Sequence, residues 1–76
     1  MSAALAIPPH TLSIVVPVYN EEDNVAPLVK RVHEALTGYE NPWELLLVDD
    51  GSSDSTVDRG MQATKEYGAH VRIVEL

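Results

Sequence analysis

A chain of 76 residues can build one small core at most, because so short a chain buries only a modest share of its surface on folding. Five Lys and Arg against 12 Asp and Glu give a formal net charge of -7, the wrong sign for a surface that binds nucleic acid by releasing counterions from phosphates. Cysteine is absent, which removes disulfides, thiol catalysis and thiolate metal sites and suits a cytoplasmic setting.

Residues 1–11 carry the adjacent Pro8 and Pro9 and no usable period, so they read as a tail leading into one domain over 12–76. Met1 to Pro9 has neither the positive start nor the full apolar run of a secretory signal. Leu12 to Val18 is β-branched and almost continuously apolar, the pattern of a strand covered on both faces in a parallel sheet. After the polar stretch Tyr19 to Asp23, the residues Val25, Leu28, Val29, Val32 and Leu36 recur at helical spacing, with Gly38 placed as a stop. Asp23 or Asn24 is the expected cap of this helix, which would put Pro27 in its first turn, where a missing N–H breaks no bond.

Trp43 to Val48 reads as a second strand. It runs into Asp49-Asp50-Gly51-Ser52-Ser53-Asp54-Ser55-Thr56, a dense cluster of turn and cap residues. Val57, Met61, Thr64 and Tyr67 suggest a second helix, weakened by Gly60 and closed by Gly68. Val71, Ile73 and Leu76 mark a third strand. The alternation predicts a βαβαβ unit with a parallel three-stranded sheet of order 3-2-1, the half-unit of a doubly wound nucleotide fold. The longest apolar runs, Ile14 to Val18 and Leu45 to Val48, fall far short of the roughly 20 residues that cross a bilayer.

Ligands in such sheets bind outside the carboxyl ends of the strands, so the loops after Val18 and Val48 carry the chemistry. The first contains no glycine and three successive acids, Glu21, Glu22 and Asp23, which argues against a dinucleotide pyrophosphate at that helix start. No Gly-rich loop ending in Gly-Lys-Ser/Thr exists, which removes a P-loop. Tyr19 offers a ring to a base or ribose, and Asp49 and Asp50 offer carboxylates that accept from ribose hydroxyls or a base N–H. Strand alternation turns those two acids in different directions. The same Asp and Ser residues are also what a ligand-free turn and N-cap require, and Tyr19 can equally pack over the sheet end. The histidines His10, His33 and His70 are dispersed and show no metal-ligand spacing.

Two strings occur together: Ser13-Ile14-Val15-Val16-Pro17-Val18-Tyr19-Asn20-Glu21-Glu22, then Leu46-Leu47-Val48-Asp49-Asp50-Gly51-Ser52-Ser53-Asp54-Ser55-Thr56. In this order and at this separation they resemble the opening of the family 2 glycosyltransferases, and the Glu-Glu-Asp-Asn-Val continuation is most similar to the dolichyl- and undecaprenyl-phosphate sugar transferases. The resemblance implies a partial Rossmann-like GT-A fold and a UDP- or GDP-sugar donor, with a polyprenyl phosphate or a saccharide as acceptor. By resemblance, Pro17, Tyr19 and Glu21 line the nucleotide pocket, Asp50 hydrogen-bonds the base, and Asp49 supports it. The family's Asp-X-Asp motif, which holds Mg²⁺ or Mn²⁺ on the diphosphate, is not matched by Asp50-Gly51-Ser52 or Asp54-Ser55-Thr56, and its acidic base is not matched either. A chain of this kind is expected to bind nucleotide without transferring sugar alone, its parent enzyme lying in the cytoplasm or at the cytoplasmic membrane face. The reading from another class is a small acidic α/β interaction module that binds no nucleotide and self-associates through the bare edge of the first strand. A receiver-like phosphoryl-transfer domain fits less well, since its acidic centre follows the first strand and not the second.

Overall fold

The computed structural model describes residues 12–76, so the expected tail over 1–11 lies outside the described residues. The elements are β1 (Leu12–Val18), α1 (Glu22–Ala35), β2 (Trp43–Asp49), α2 (Thr56–Tyr67) and β3 (Val71–Glu75). The strands pair in parallel in the order β1-β2-β3, the predicted topology read from its other edge. Val18 stands beside Asp49, and Asp49 beside Glu75, so the carboxyl ends of all three strands reach one rim of the sheet.

The side chains of Val18, Leu45, Leu47 and Val71 point to one face and are buried against Val25 and Val29 of α1 and Ala63 of α2. The opposite face carries Val15, Pro17, Leu46, Val48 and Val74, of which Val15 is 59% and Val74 41% exposed. This overturns the expectation of a first strand covered on both faces. The path β1 to β2 to β3 steps in one direction, and successive crossovers of one hand then lay both helices on the same side. A continuous apolar run in β1 therefore supplies one buried and one bare face. Pro17 lacks an N–H for a ladder and is accommodated because β1 is an edge strand.

Local details differ from expectation in instructive ways. The first helix begins at Glu22, so Pro27 is interior and deletes one hydrogen bond, that to the Asp23 carbonyl. Glu22 and Asp23 sit in the first turn, where the helix dipole favours acids. The second strand extends to Asp49, one residue past the apolar run. Met61 is 49% exposed, and the buried positions of α2 are Thr56, Gly60 and Ala63. Gly60 lets α2 approach β3, because a Cβ there would meet Ile73 at 2.7 Å. Leu76 lies past the end of β3 and is 81% exposed.

Candidate functional site

The loops that follow β1 and β2 are tied to one another side chain to backbone. Asn20 is the one residue other than glycine with positive φ (50°) among the described residues, a region that Asn enters more readily than most. In that pose its N–H donates to Ser52 Oγ at 2.8 Å while its Oδ1 accepts from the Ser53 N–H at 2.8 Å. The Glu21 N–H donates to Thr56 Oγ1 at 2.8 Å and the Glu22 N–H to Asp54 Oδ2 at 3.3 Å. In return, Glu22 Oε1 accepts from the Ser55 N–H at 3.1 Å. Neither helix carries a side-chain cap from its own N-cap residue. The N-terminus of α1 is instead satisfied by Thr56 and Asp54, and that of α2 by Glu22 of α1 together with its own Asp54, which accepts the Thr56 N–H, so free donors would be the cost of separating the two loops.

Asp49 is 2% exposed and turned into the second loop. Its Oδ2 accepts from the N–H groups of Gly51 and Ser52, each at 3.1 Å, and its Oδ1 takes the Ser52 hydroxyl. The Ser52 hydroxyl, helped by those two N–H groups, holds the carboxyl below its ordinary range against the opposing effect of burial. Gly51, at φ 89°, gives the chain the left-handed step that this turn needs. Asp54 is likewise held low, first by the Thr56 hydroxyl and then by the N–H groups of Thr56 and Glu22. These two acids are thus fixed as anions whose acceptor capacity is largely spent inside the protein.

Asp50 points the other way and is exposed, as strand alternation predicts. Its N–H reaches the Val18 carbonyl at 3.3 Å, which sets it directly above the end of β1. Tyr19 is 58% exposed on the neighbouring loop. Pro17 and Glu21 share a groove of about 420 Å³ between β1 and α1, with Arg31 on its far wall. The five residues singled out from the sequence therefore divide by position. Pro17 and Glu21 meet in the groove, Tyr19 and Asp50 stand free on the rim, and Asp49 lies beneath the loop. An aromatic face and an unspent carboxylate beside a half-apolar groove suit a flat heterocycle with an N–H edge better than they suit a phosphate.

The acids present do not fit a catalytic divalent cation. Among the described residues no group of three or more His, Cys, Asp or Glu is arranged to hold a metal ion. Asp49 and Asp54 already use their lone pairs on N–H and hydroxyl donors, which leaves Asp50 as a single oxygen ligand of that loop.

Sequence spacing missed two features. The dense Asp-Ser-Thr run was legible as a turn, but its service as a cap for a helix more than 30 positions away was not. The histidines read as dispersed, yet His33 and His70 meet Nε2 to Nε2 at 2.9 Å at the far end of the sheet, while His10 lies outside the described residues. Burial, and secondarily the His33 imidazole, push His70 below its usual pKa.

Comparison with known proteins adds two findings. The family model described as "Glycosyl transferase family 2" matches residues 13–76. "Dodecaprenyl-phosphate galacturonate synthase" of Rhizobium johnstonii is 51% identical over 65 residues, 86% of this chain and 19% of that protein. "Undecaprenyl-phosphate 4-deoxy-4-formamido-L-arabinose transferase" of Salmonella choleraesuis is 39% identical over 66 residues, 87% of this chain and 20% of that protein. The chain thus spans about a fifth of the length of these curated relatives.

Proposed function

Because the chain belongs to glycosyl transferase family 2, we propose that it is the nucleotide-binding part of an enzyme that moves a sugar from a UDP- or GDP-sugar to a polyprenyl phosphate. The observation that carries this reading is the cross-tied pair of loops, which holds Tyr19 and Asp50 exposed and side by side above the carboxyl ends of β1 and β2. In it, Tyr19 lies against the base or ribose, Pro17 and Glu21 wall the pocket, and Asp50 accepts a base N–H. Asp49 touches no ligand; it shapes the turn that presents Asp50.

The polyprenyl phosphate acceptor is favoured over a saccharide because both relatives carry such a lipid phosphate in their names. In this proposal the whole enzyme acts on that lipid acceptor at the cytoplasmic face of a membrane; no helix among the described residues is long and apolar enough to cross one. Mg²⁺ or Mn²⁺ on the donor diphosphate belongs, in this proposal, to residues outside these 76, and the chain alone transfers no sugar. A second reading, association of copies through the bare β1 edge, is favoured by the uncovered apolar face behind that edge.

The test is sugar transfer by the enzyme that contains this chain, assayed with UDP- and GDP-sugars and a polyprenyl phosphate. Activity with one donor base, lost on Asp50→Ala while the protein stays folded, supports the proposal. Unchanged activity in that variant removes Asp50 from the pocket, and tight oligomers of the chain indifferent to both nucleotides favour the second reading.

A further inference from the structure

At the end of the sheet opposite the two loops, where β2 and β3 begin, the imidazoles of His33 and His70 converge. Their Nε2 atoms are 2.9 Å apart, and His33 Nδ1 lies 3.0 Å from the Val29 carbonyl oxygen. A carbonyl only accepts, so His33 Nδ1 carries the hydrogen and its Nε2 presents a lone pair in the neutral ring. His70 Nε2 therefore supplies the one proton that bridges the pair. Aromatic rings hold both imidazoles in place: Trp43 stands edge-on at 4.8 Å from His33 and 4.6 Å from His70, and Tyr67 lies over His33 at 4.2 Å.

We propose that His33 and His70 form a two-histidine site for a divalent transition-metal ion of the zinc class, which takes the place of the bridging proton. Imidazole nitrogens bind zinc at about 2.0–2.1 Å, so two of them in a tetrahedral shell stand roughly 3.3 Å apart, a few tenths of an ångström wider than the present contact. The rings need only open slightly. The Val29 carbonyl on His33 Nδ1 is the outer partner that metal-bound imidazoles ordinarily have, fixing the tautomer and the ring plane. The displaced proton moves from Nε2 to Nδ1 of His70, so two neutral rings bind the ion with no net proton release.

Since no cluster of three or more ligand side chains exists among the described residues, water fills the remaining positions and binding is weaker than in a closed four-ligand site. The ion would join the last turns of α1 to the start of β3 and stabilise the fold by mass action. It would do so about 20 Å from the nucleotide loops, the length of a seven-residue strand. It is therefore independent of the donor diphosphate and of the glycosyltransferase reading.

Trp43 is the sole tryptophan and touches both rings, so it reports on the pair directly. Near neutral pH, CuCl₂ should quench Trp43 fluorescence saturably at one equivalent, and ZnCl₂ should raise the melting temperature. His33→Gln and His70→Gln should each weaken binding at least about ten-fold, while His10→Gln should leave it unchanged. In the unaltered chain, ring ¹⁵N spectra should show both Nε2 signals shifting on zinc addition and His70 Nδ1 moving to the protonated range, while His33 Nδ1, already protonated against Val29, stays there; this readout needs no variant to fold. Quenching that never saturates, that persists in both Gln variants, that follows His10, or zinc that leaves both Nε2 signals in place would overturn the site.

Discussion

Thr56→Val probes the tie between the two loops with the least change of shape. Thr56 is fully buried, and its Oγ1 accepts the Glu21 N–H at 2.8 Å while donating to Asp54. Valine fills the same volume but takes no hydrogen bond. The part-buried Glu21 N–H is left without a partner, which costs about 1–3 kcal/mol. At a urea slope of about 1 kcal/mol per molar for a domain this small, the unfolding midpoint should drop by about 1–3 M. Thr56→Ser keeps the hydroxyl and loses a methyl, a loss of about 1 kcal/mol. Equilibrium urea unfolding of the three proteins, followed by Trp43 fluorescence, ranks them. The Asp54 carboxyl should also rise toward its ordinary value in the Val variant, because the Thr56 hydroxyl is the chief cause of its depression. If the Ser variant were as damaging as the Val variant, burial and not hydrogen bonding would explain Thr56, and the mutual capping of the loops would be refuted.

Asp50→Ala should leave the unfolding free energy from urea titration within about 0.5 kcal/mol of the parent, as for most exposed positions, yet reduce UDP or GDP affinity by about ten-fold or more, read by calorimetry. Gly60→Ala should destabilise by about 1–3 kcal/mol despite alanine's better helix propensity, since the new Cβ meets Ile73; thermal melts decide. Asp49 and Asp54 have folded pKa values below their unfolded ones. The unfolded chain therefore binds more protons in the window between, and the stability they contribute is present above about pH 4 and lost as pH falls through the folded values. Asp49→Asn should flatten part of that acid limb in urea midpoints measured from neutral pH down to pH 3, and an unaltered limb would show that Asp49 is not held as an anion.

Element order and sheet topology were legible because apolar period and turn residues agree along the whole chain: Leu12–Val18 and Trp43–Asp49 bracket a helical stripe and end in polar loops. The bare sheet face was not legible, because an apolar run does not say which of its faces a neighbour covers; that depends on the crossovers. Nor could the start of α1 be read at Glu22, since the groups that satisfy its first N–H donors come from Asp54 and Thr56. Capping from a distant loop leaves no local signature. The division between Asp49 and Asp50 followed from alternation, and the structure gives it a cause, the turn that Asp49 closes over Gly51 and Ser52. His33 and His70, 37 positions apart, could be joined only by the fold.

The central claim, that these loops form the nucleotide half of a sugar-donor site, is tested most directly by titrating UDP and then GDP into the ¹⁵N-labelled chain with Mg²⁺ present. Shifts should be confined to the amides of Tyr19, Glu21 and the Asp49 to Ser52 turn, larger for one nucleotide than for the other and absent in Asp50→Ala. A well-dispersed spectrum in which those amides stay still with both nucleotides, or in which Asp50→Ala responds like the parent chain, would contradict it.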